Sequence, residues 1–305
     1  MKGEILAQLQ AADVVSGESL SQLLGVSRVA VWKHIRQLQE LGYEIEASSK
    51  GYRLRSAPDA PFPWVFGQRA AQVHYFPETS STMDIAMEMA RQGCPNFTIV
   101  VAERQTKGRG RLQRSWHSER GGLYFTMVLR PRMPLALAPL INLAASVDLA
   151  MTLDALYGIQ ARLKWPNDVL VEGRKLAGIL SQMAAETDRI EYVNVGIGVN
   201  VHNDTSQVDP PAISTARLTS EPVSRAEILA HFWERFERRL ATGRWSDVVA
   251  EWKSRSATLG LFVRVQTLYE LYEGRAVDVE NNGGLILEKA DGTRMTIVYG
   301  DCFHP

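Results

Sequence analysis

Cysteine is nearly missing from this chain. Cys94 and Cys302 are the only two in 305 residues, too few for a disulfide framework, so both are expected as reduced thiols. Net charge is missing as well. Thirty-four Lys and Arg balance thirty-four Asp and Glu. Nothing global therefore draws the chain to nucleic acid or membrane, and any DNA contact must come from local charge asymmetry. The six histidines show no ligand spacing with one another or with cysteine, which argues against a structural zinc. Long apolar runs are also absent. Lys2, Glu4 and Asp13 interrupt the start, leaving no signal-peptide core. The longest run, Pro134–Val147, is shorter than a bilayer-spanning helix needs and reads as a buried helix. A cytoplasmic protein with no membrane partner is expected. With 45% hydrophobic and 22% charged residues, the composition is that of a globular protein, and the length suits two or three domains.

What is present is concentrated in one stretch. Residues 103–118 read Glu-Arg-Gln-Thr-Lys-Gly-Arg-Gly-Arg-Leu-Gln-Arg-Ser-Trp-His-Ser. Arg104, Lys107, Arg109, Arg111 and Arg114 follow one another with no acid between them. Gly108 and Gly110 break any helix and let the backbone approach a ligand. A loop of this kind can wrap an anion. It lacks the Gly-Lys-Ser/Thr ending of a nucleotide-binding P-loop. Taken alone, it fits a solvated basic loop equally well.

The rest of the chain divides into three patterns. Residues 1–60 read as a winged helix–turn–helix. Ile5, Leu6 and Leu9 mark a first amphipathic helix, and Ser19 is the expected cap of a second. Gly25 makes the turn, and Ser27 caps a third helix reaching about Leu41, with Val31, Ile35 and Leu38 on one face. Arg28, Lys33 and Arg36 lie on its other side. Tyr43–Glu46 and Tyr52–Leu54 form the wing around Ser48–Gly51. This region holds seven basic and seven acidic residues, so its basic helix is a local feature. Ser27, Arg28, Trp32, Lys33, Arg36, Lys50 and Arg53 are the candidate DNA contacts. A helical interaction domain is the competing reading. Pro58, Pro61 and Pro63 read as a linker. Residues 61–258 read as an α/β domain with a mixed sheet, closed by a helix over Ala226–Leu240. Residues 259–305 read as short strands with turns at Asn281–Gly284 and Asp291-Gly292, which fits a small all-β SH3-like barrel.

Three further segments change the reading of the basic loop: Lys164-Trp165-Pro166-Asn167-Asp168, Lys175-Leu176-Ala177-Gly178-Ile179-Leu180 and Gly196-Ile197-Gly198-Val199-Asn200-Val201. Together with the loop, in this order, they resemble the biotin protein ligase family. The N-terminal region resembles the DNA-binding domain of the family's bifunctional, biotin operon repressor members. The resemblance implies a ligase that uses ATP to make biotinyl-5′-AMP and passes biotin to an acceptor lysine, and that represses transcription. It implies that Arg109, Arg111 and Lys175 are catalytic. Ser81, Thr82, Met83, Gln105 and Gly110 join them around biotin. Gly108, Lys164, Asn167, Gly196 and Asn200 meet the adenylate, and Asp168 helps hold Mg²⁺. The implied partners are the biotin carboxyl carrier protein of acetyl-CoA carboxylase, operator DNA, and a second copy of the chain when adenylate is bound.

Lys164 and Lys175 both need an acidic partner in apolar surroundings, and Asp168 is the expected partner of Lys164. Trp116 is expected under the loop. Ser81 is also readable as a helix cap, and Gly196 and Gly198 as a β-bulge. Three departures stand out. Met83 stands where the family often has Asn. Gln113 stands at the loop's third glycine. Residues 202–217 lack the adenine-stacking tryptophan of some repressor-type members, leaving His202 or Ile213 as substitutes. Two other readings remain: a ligand-sensing regulator without transferase activity, and a lipoate-type ligase, whose Arg-Arg and Ser-Gly-Gly-Gly signature is absent.

Overall fold

The computed structural model describes the whole chain except Gln113, Asp188 and the side chain of Ser246. The reading of Gln113 therefore lies outside the described residues. Contacts divide the chain into two units, Met1–Ala71 and Gln72–Pro305.

In the first unit, α1 (Lys2–Ala11), α2 (Gly17–Leu24) and α3 (Arg28–Glu40) precede an antiparallel pair, β1 (Glu44–Ser48) and β2 (Gly51–Ser56). Ile5, Leu6, Leu9, Leu20, Val31, Ile35 and Leu38 are buried, as helical spacing requires. The cap of α2 is Ser16, whose hydroxyl accepts from Ser19 N at 3.0 Å, so the expected Ser19 cap is corrected by one turn. Ser27 caps α3 by accepting from Ala30 N. Gly25 ends α2 in the left-handed region at φ 63°, which glycine adopts without a Cβ clash. The proline-bearing stretch is packed rather than extended. Phe62 is buried and stacks on Trp64 at 4.8 Å, and Trp64 Nε1 donates to Tyr43 Oη.

The second unit is built on a seven-stranded mixed sheet. Its elements are β3 (Val73–Phe76), α4 (Thr82–Arg91), β4 (Thr98–Ala102), β5 (Leu123–Leu129), α5 (Leu140–Tyr157), β6 (Arg162–Lys164), β7 (Asp168–Val171), β8 (Arg174–Glu186) and β9 (Arg189–Val199). The strand order is β3-β4-β5-β9-β8-β7-β6, parallel only between β3 and β4. Helix α5 is apolar on nearly every side because it is buried on nearly every side. Its neighbours are the sheet together with α6 (Arg225–Thr242) and α7 (Trp245–Ser254). By length and composition it could cross a membrane, but two-thirds of that stretch is buried inside the fold. The expected closing helix is followed by α7, whose Val248, Val249 and Trp252 are core residues.

A five-stranded antiparallel sheet follows: β10 (Phe262–Gln266), β11 (Leu271–Val279), β12 (Leu285–Glu288), β13 (Arg294–Ile297) and β14 (Asp301–Phe303), in the order β13-β12-β11-β10-β14. The last strand adds to the four read from the sequence. No pairing joins β13 to β14 among the described residues, so the sheet is not a closed barrel.

Candidate active site

The site grows from the open end of β9. Gly196 and Gly198 pair in regular register with Thr126 and Tyr124 on β5 and with Leu180 and Gly178 on β8. No bulge occurs there, so the bulge reading is set aside. These glycines leave a bare strip of sheet that other groups fill. A Cβ at Gly198 would stand 2.4 Å from the Trp116 indole nitrogen, one at Gly178 would stand 2.9 Å from the same ring, and one at Gly196 would stand 2.8 Å from Met83 Cε. Trp116 thus lies flat over the strip. Its indole nitrogen is buried and has no hydrogen-bond partner among the described residues.

The loop's two stems are fixed by buried charge. Glu103, at the end of β4, receives Arg225 Nη1 at 2.8 Å and the Gly121 amide at 3.4 Å. Both stems are therefore tied to one carboxylate. Glu103 also accepts from Tyr75 Oη, and burial together with this carboxylate pushes the Tyr75 phenol up to about 12.

Gln105 braces the floor. Its Oε1 accepts from the Thr82 amide at 2.8 Å and the Thr82 hydroxyl at 3.1 Å, and its Nε2 donates to Ser118 Oγ. Thr82 Oγ1 also meets Thr126 Oγ1 at 2.9 Å. Ser81 precedes α4 but makes no side-chain cap bond. At 1% exposure its hydroxyl sits inside, so the simple capping role is corrected.

The cations converge on this floor. Lys175 Nζ lies 2.7 Å from Asp168 Oδ1 and 5.1 Å from the Trp116 ring centre. The expected pairing of Asp168 with Lys164 is corrected: Lys164 stands opposite Asp168 in the β6–β7 register, yet the carboxylate takes Lys175 of the other neighbouring strand, β8. Arg109 pairs with Asp84 at 2.7 Å. Arg111 is mostly buried and meets Asp301 Oδ1 through Nε at 3.5 Å, and Arg114 meets Asp301 Oδ2 at 3.1 Å. Burial lowers the Arg111 guanidinium from its ordinary value, while Asp301 and Asp168 pull it back. Gly110 N donates to Arg114 O at 2.7 Å, closing the loop tip on itself.

Two predicted ligand contacts are committed to the scaffold. Asn167 Nδ2 donates to Ile179 O at 2.6 Å, and Asn200 bonds to Lys175 O and Asn203. Both hold the strands that carry Lys175. Of the two adenine substitutes, Ile213 is buried and its amide donates to Lys175 O, while the His202 ring is bonded to Val223 O. Lys164 is half-buried near His304 and Cys302.

No group of three or more His, Cys, Asp or Glu among the described residues could hold a metal ion. Asp168 stands paired with Lys175, so these side chains do not build a resident metal site.

Asp84, Ser118, Thr126, Asp301 and, at the loop stems, Tyr75 and Arg225 are site residues the sequence reading does not reach. Asp84 lies three residues after Ser81, within the motif region, so its position was readable. Asp301 carries no local signal, because only the register of β14 brings it to the loop.

In the first unit, α3 exposes Trp32 and Val29 beside Arg28, and with Lys50 of the wing they line a groove of about 380 Å³. Arg53 is engaged by Asp13, which leaves it the least available of the predicted contacts.

A model of the Biotin/lipoate A/B protein ligase family matches residues 75–200, an HTH domain model matches residues 3–53, and a Biotin protein ligase C terminal domain model matches residues 258–304. The Bifunctional ligase/repressor BirA of Bacillus spizizenii is 36% identical over 93% of this chain and 92% of its own length. A Biotin--[acetyl-CoA-carboxylase] ligase of Mycobacterium tuberculosis is 31% identical over 76% of this chain and 89% of its own. Among solved structures, the biotin protein ligase from Aquifex aeolicus in complex with biotin and ATP is similar with a TM-score of 0.66 at 26% identity, covering 76% of this chain and 99% of that one.

Proposed function

This chain belongs to the biotin protein ligase family, and on that premise we propose that it is an ATP-dependent biotin–protein ligase that also acts as a biotin-responsive transcriptional repressor. One observation carries the catalytic half: Lys175, Arg111 and the loop tip converge over a glycine-paved strip of sheet roofed by Trp116.

The chemistry begins with two anions that repel. The biotin carboxylate attacks the α-phosphorus of ATP, forming the O–P bond of biotinyl-5′-AMP and expelling pyrophosphate. Preorganised cations offset the repulsion and stabilise charge growing on phosphorus. Arg109 and Arg111 serve this role from the loop, and Lys175 serves it from β8. Ser81, Thr82 and Gln105 hold the biotin head with the α4 amides, and Met83 lines the same pocket. Gly110 gives a backbone amide. Gly108, Lys164, Asn167, Gly196 and Asn200 shape the adenylate pocket, with Ile213 as the apolar contact for adenine. Mg²⁺ would be carried by the triphosphate and would offset its charge, since the described side chains make no cage of their own. In the second step an acceptor lysine amine attacks the anhydride carbonyl, forming the amide and releasing AMP. The acceptor is the biotin carboxyl carrier protein of acetyl-CoA carboxylase. Trp116 and the closed loop tip keep water from the anhydride meanwhile.

The catalytic domain spans residues 61–258, the winged helix 1–60, and an SH3-like domain 259–305. In the repressor half, α3 enters the major groove, with Ser27, Arg28, Trp32, Lys33 and Arg36 facing DNA and Lys50 and Arg53 on the wing. Persistent adenylate favours a homodimer that meets a palindromic operator.

Incubation with ATP and either biotin or lipoate, followed by mass detection of the acyl-adenylate, tests the reading. Biotinyl-adenylate alone is expected. Lipoyl-adenylate would make this a lipoate-type ligase, and tight biotin binding without adenylate would make it a sensor.

A further inference from the structure

The catalytic loop is held from the far end of the chain. Asp301, on the three-residue strand β14, is 9% exposed. One of its oxygens faces Arg111 Nε at 3.5 Å and the other faces Arg114 Nη2 at 3.1 Å. The Arg114 guanidinium also lies 5.3 Å over the Phe303 ring. One carboxylate and one ring, two residues apart, therefore hold both arginines of the loop tip.

The strand carrying Asp301 is itself bolted to the adenylate side of the sheet. Thr258 Oγ1 accepts from the Trp165 amide at 3.0 Å and contacts His304 Nε2 at 3.0 Å. Trp165 Nε1 donates to Gly283 O. Asp301 is thus a fixed anchor, whereas the loop is mainly glycine and long side chains.

The contact with Arg111 is made at Nε and is too long for a strong hydrogen bond. Among the described residues the Arg111 side chain donates no hydrogen bond. Its terminal nitrogens remain able to take a phosphate in bidentate fashion. An anion that aims an arginine without saturating it reduces the rotamer freedom lost on binding.

We infer that Asp301 is a positioning residue for adenylate formation: with Phe303 it fixes Arg111 and Arg114 so that the Arg111 guanidinium faces the phosphate. The inference rests on the ligase reading above.

The test uses the full chain as wild type, Asp301→Asn, Asp301→Glu, Arg111→Ala and the Asp301→Asn/Arg111→Ala double variant. Pyrophosphate release gives kcat and the KM for ATP, and rapid dilution gives the release rate of biotinyl-adenylate. In Asp301→Asn the KM for ATP should rise about tenfold and adenylate release should quicken by a similar factor, the scale of coupling between contacting groups. The change in kcat should be smaller. Asp301→Glu should recover part of the effect, and the double variant should be no worse than Arg111→Ala. Unchanged KM, additive losses in the double variant, or a lower KM would overturn the inference; the last would mean that Asp301 withholds the arginine. Should Asp301→Asn not fold, Arg114→Gln alters the same clasp from an exposed side chain, and an unchanged KM there overturns it equally. A wild type that makes no adenylate would sink both readings, whereas an active wild type with an indifferent Asp301 sinks only this one.

Discussion

Glycine at position 198 is tied to function by its missing side chain. A Cβ there would stand 2.4 Å from the Trp116 indole nitrogen, closer than carbon and nitrogen approach without bonding. Gly198→Val should leave the sheet intact, since Val suits a strand, yet lift Trp116 off the strip. We predict a KM for biotin at least about tenfold higher with a thermal midpoint near that of wild type, measured by pyrophosphate release and calorimetry. Arg111→Ala removes a charge from the loop tip rather than the core. It should fold normally and release biotinyl-adenylate faster, and loss of the folded state would show the loop to be structural instead. These residues were legible because their motifs are local: Gly-Arg-Gly-Arg, Lys-Leu-Ala-Gly-Ile-Leu and Gly-Ile-Gly-Val-Asn each sit on one loop or strand. Partnerships were less legible. Asp168 took Lys175 of β8 rather than Lys164, its direct partner in the β6–β7 register, so neither spacing along the chain nor register announces the pair.

The helices α5, α6 and α7 form a layer around one buried ion pair. Arg239 on α6 donates to both oxygens of Asp148 on α5 at 2.8 Å, and Glu251 on α7 lies 2.7 Å from the same guanidinium. Asp148 is fully buried. Asp148→Ala would leave Arg239 with Glu251 alone, and should cost about 3 kcal/mol, at the low end for breaking a buried pair. Urea denaturation measures it. His304, the residue after β14, gives a pH signature. Burial and the nearby Lys164 lower His304 to about 4 from its ordinary 6.5. The unfolded chain therefore binds a proton that the folded chain refuses. Stability should be full above about pH 6.5 and fall as pH drops towards 4, and the slope should flatten in His304→Gln. Denaturation midpoints at several pH values check this. Helix α7 was legible in principle, since Val248, Val249 and Trp252 keep helical spacing, but Gly243 ends α6 just before it and disguises the continuation. Strand β14 was not, because three residues carry no period.

At the scale of the whole molecule, a ligase and a DNA reader share one chain. The winged helix was legible from the capping Ser27, an apolar face and a turn glycine. The absence of closure in the C-terminal sheet was not, because hairpin turns look alike in an open sheet and a barrel. If adenylate is the signal linking the halves, a palindromic operator should be bound more tightly with biotin plus ATP than without, and the binding should weaken with salt. Fluorescence anisotropy of labelled operator DNA measures this, and affinity indifferent to biotin and ATP would uncouple the halves. The ligase itself is tested most directly by the mass of a biotin carboxyl carrier domain after incubation with this protein, biotin, ATP and Mg²⁺. The account predicts stoichiometric addition of a single biotin to one lysine. A carrier of unchanged mass, with biotin still bound by the protein, would contradict it.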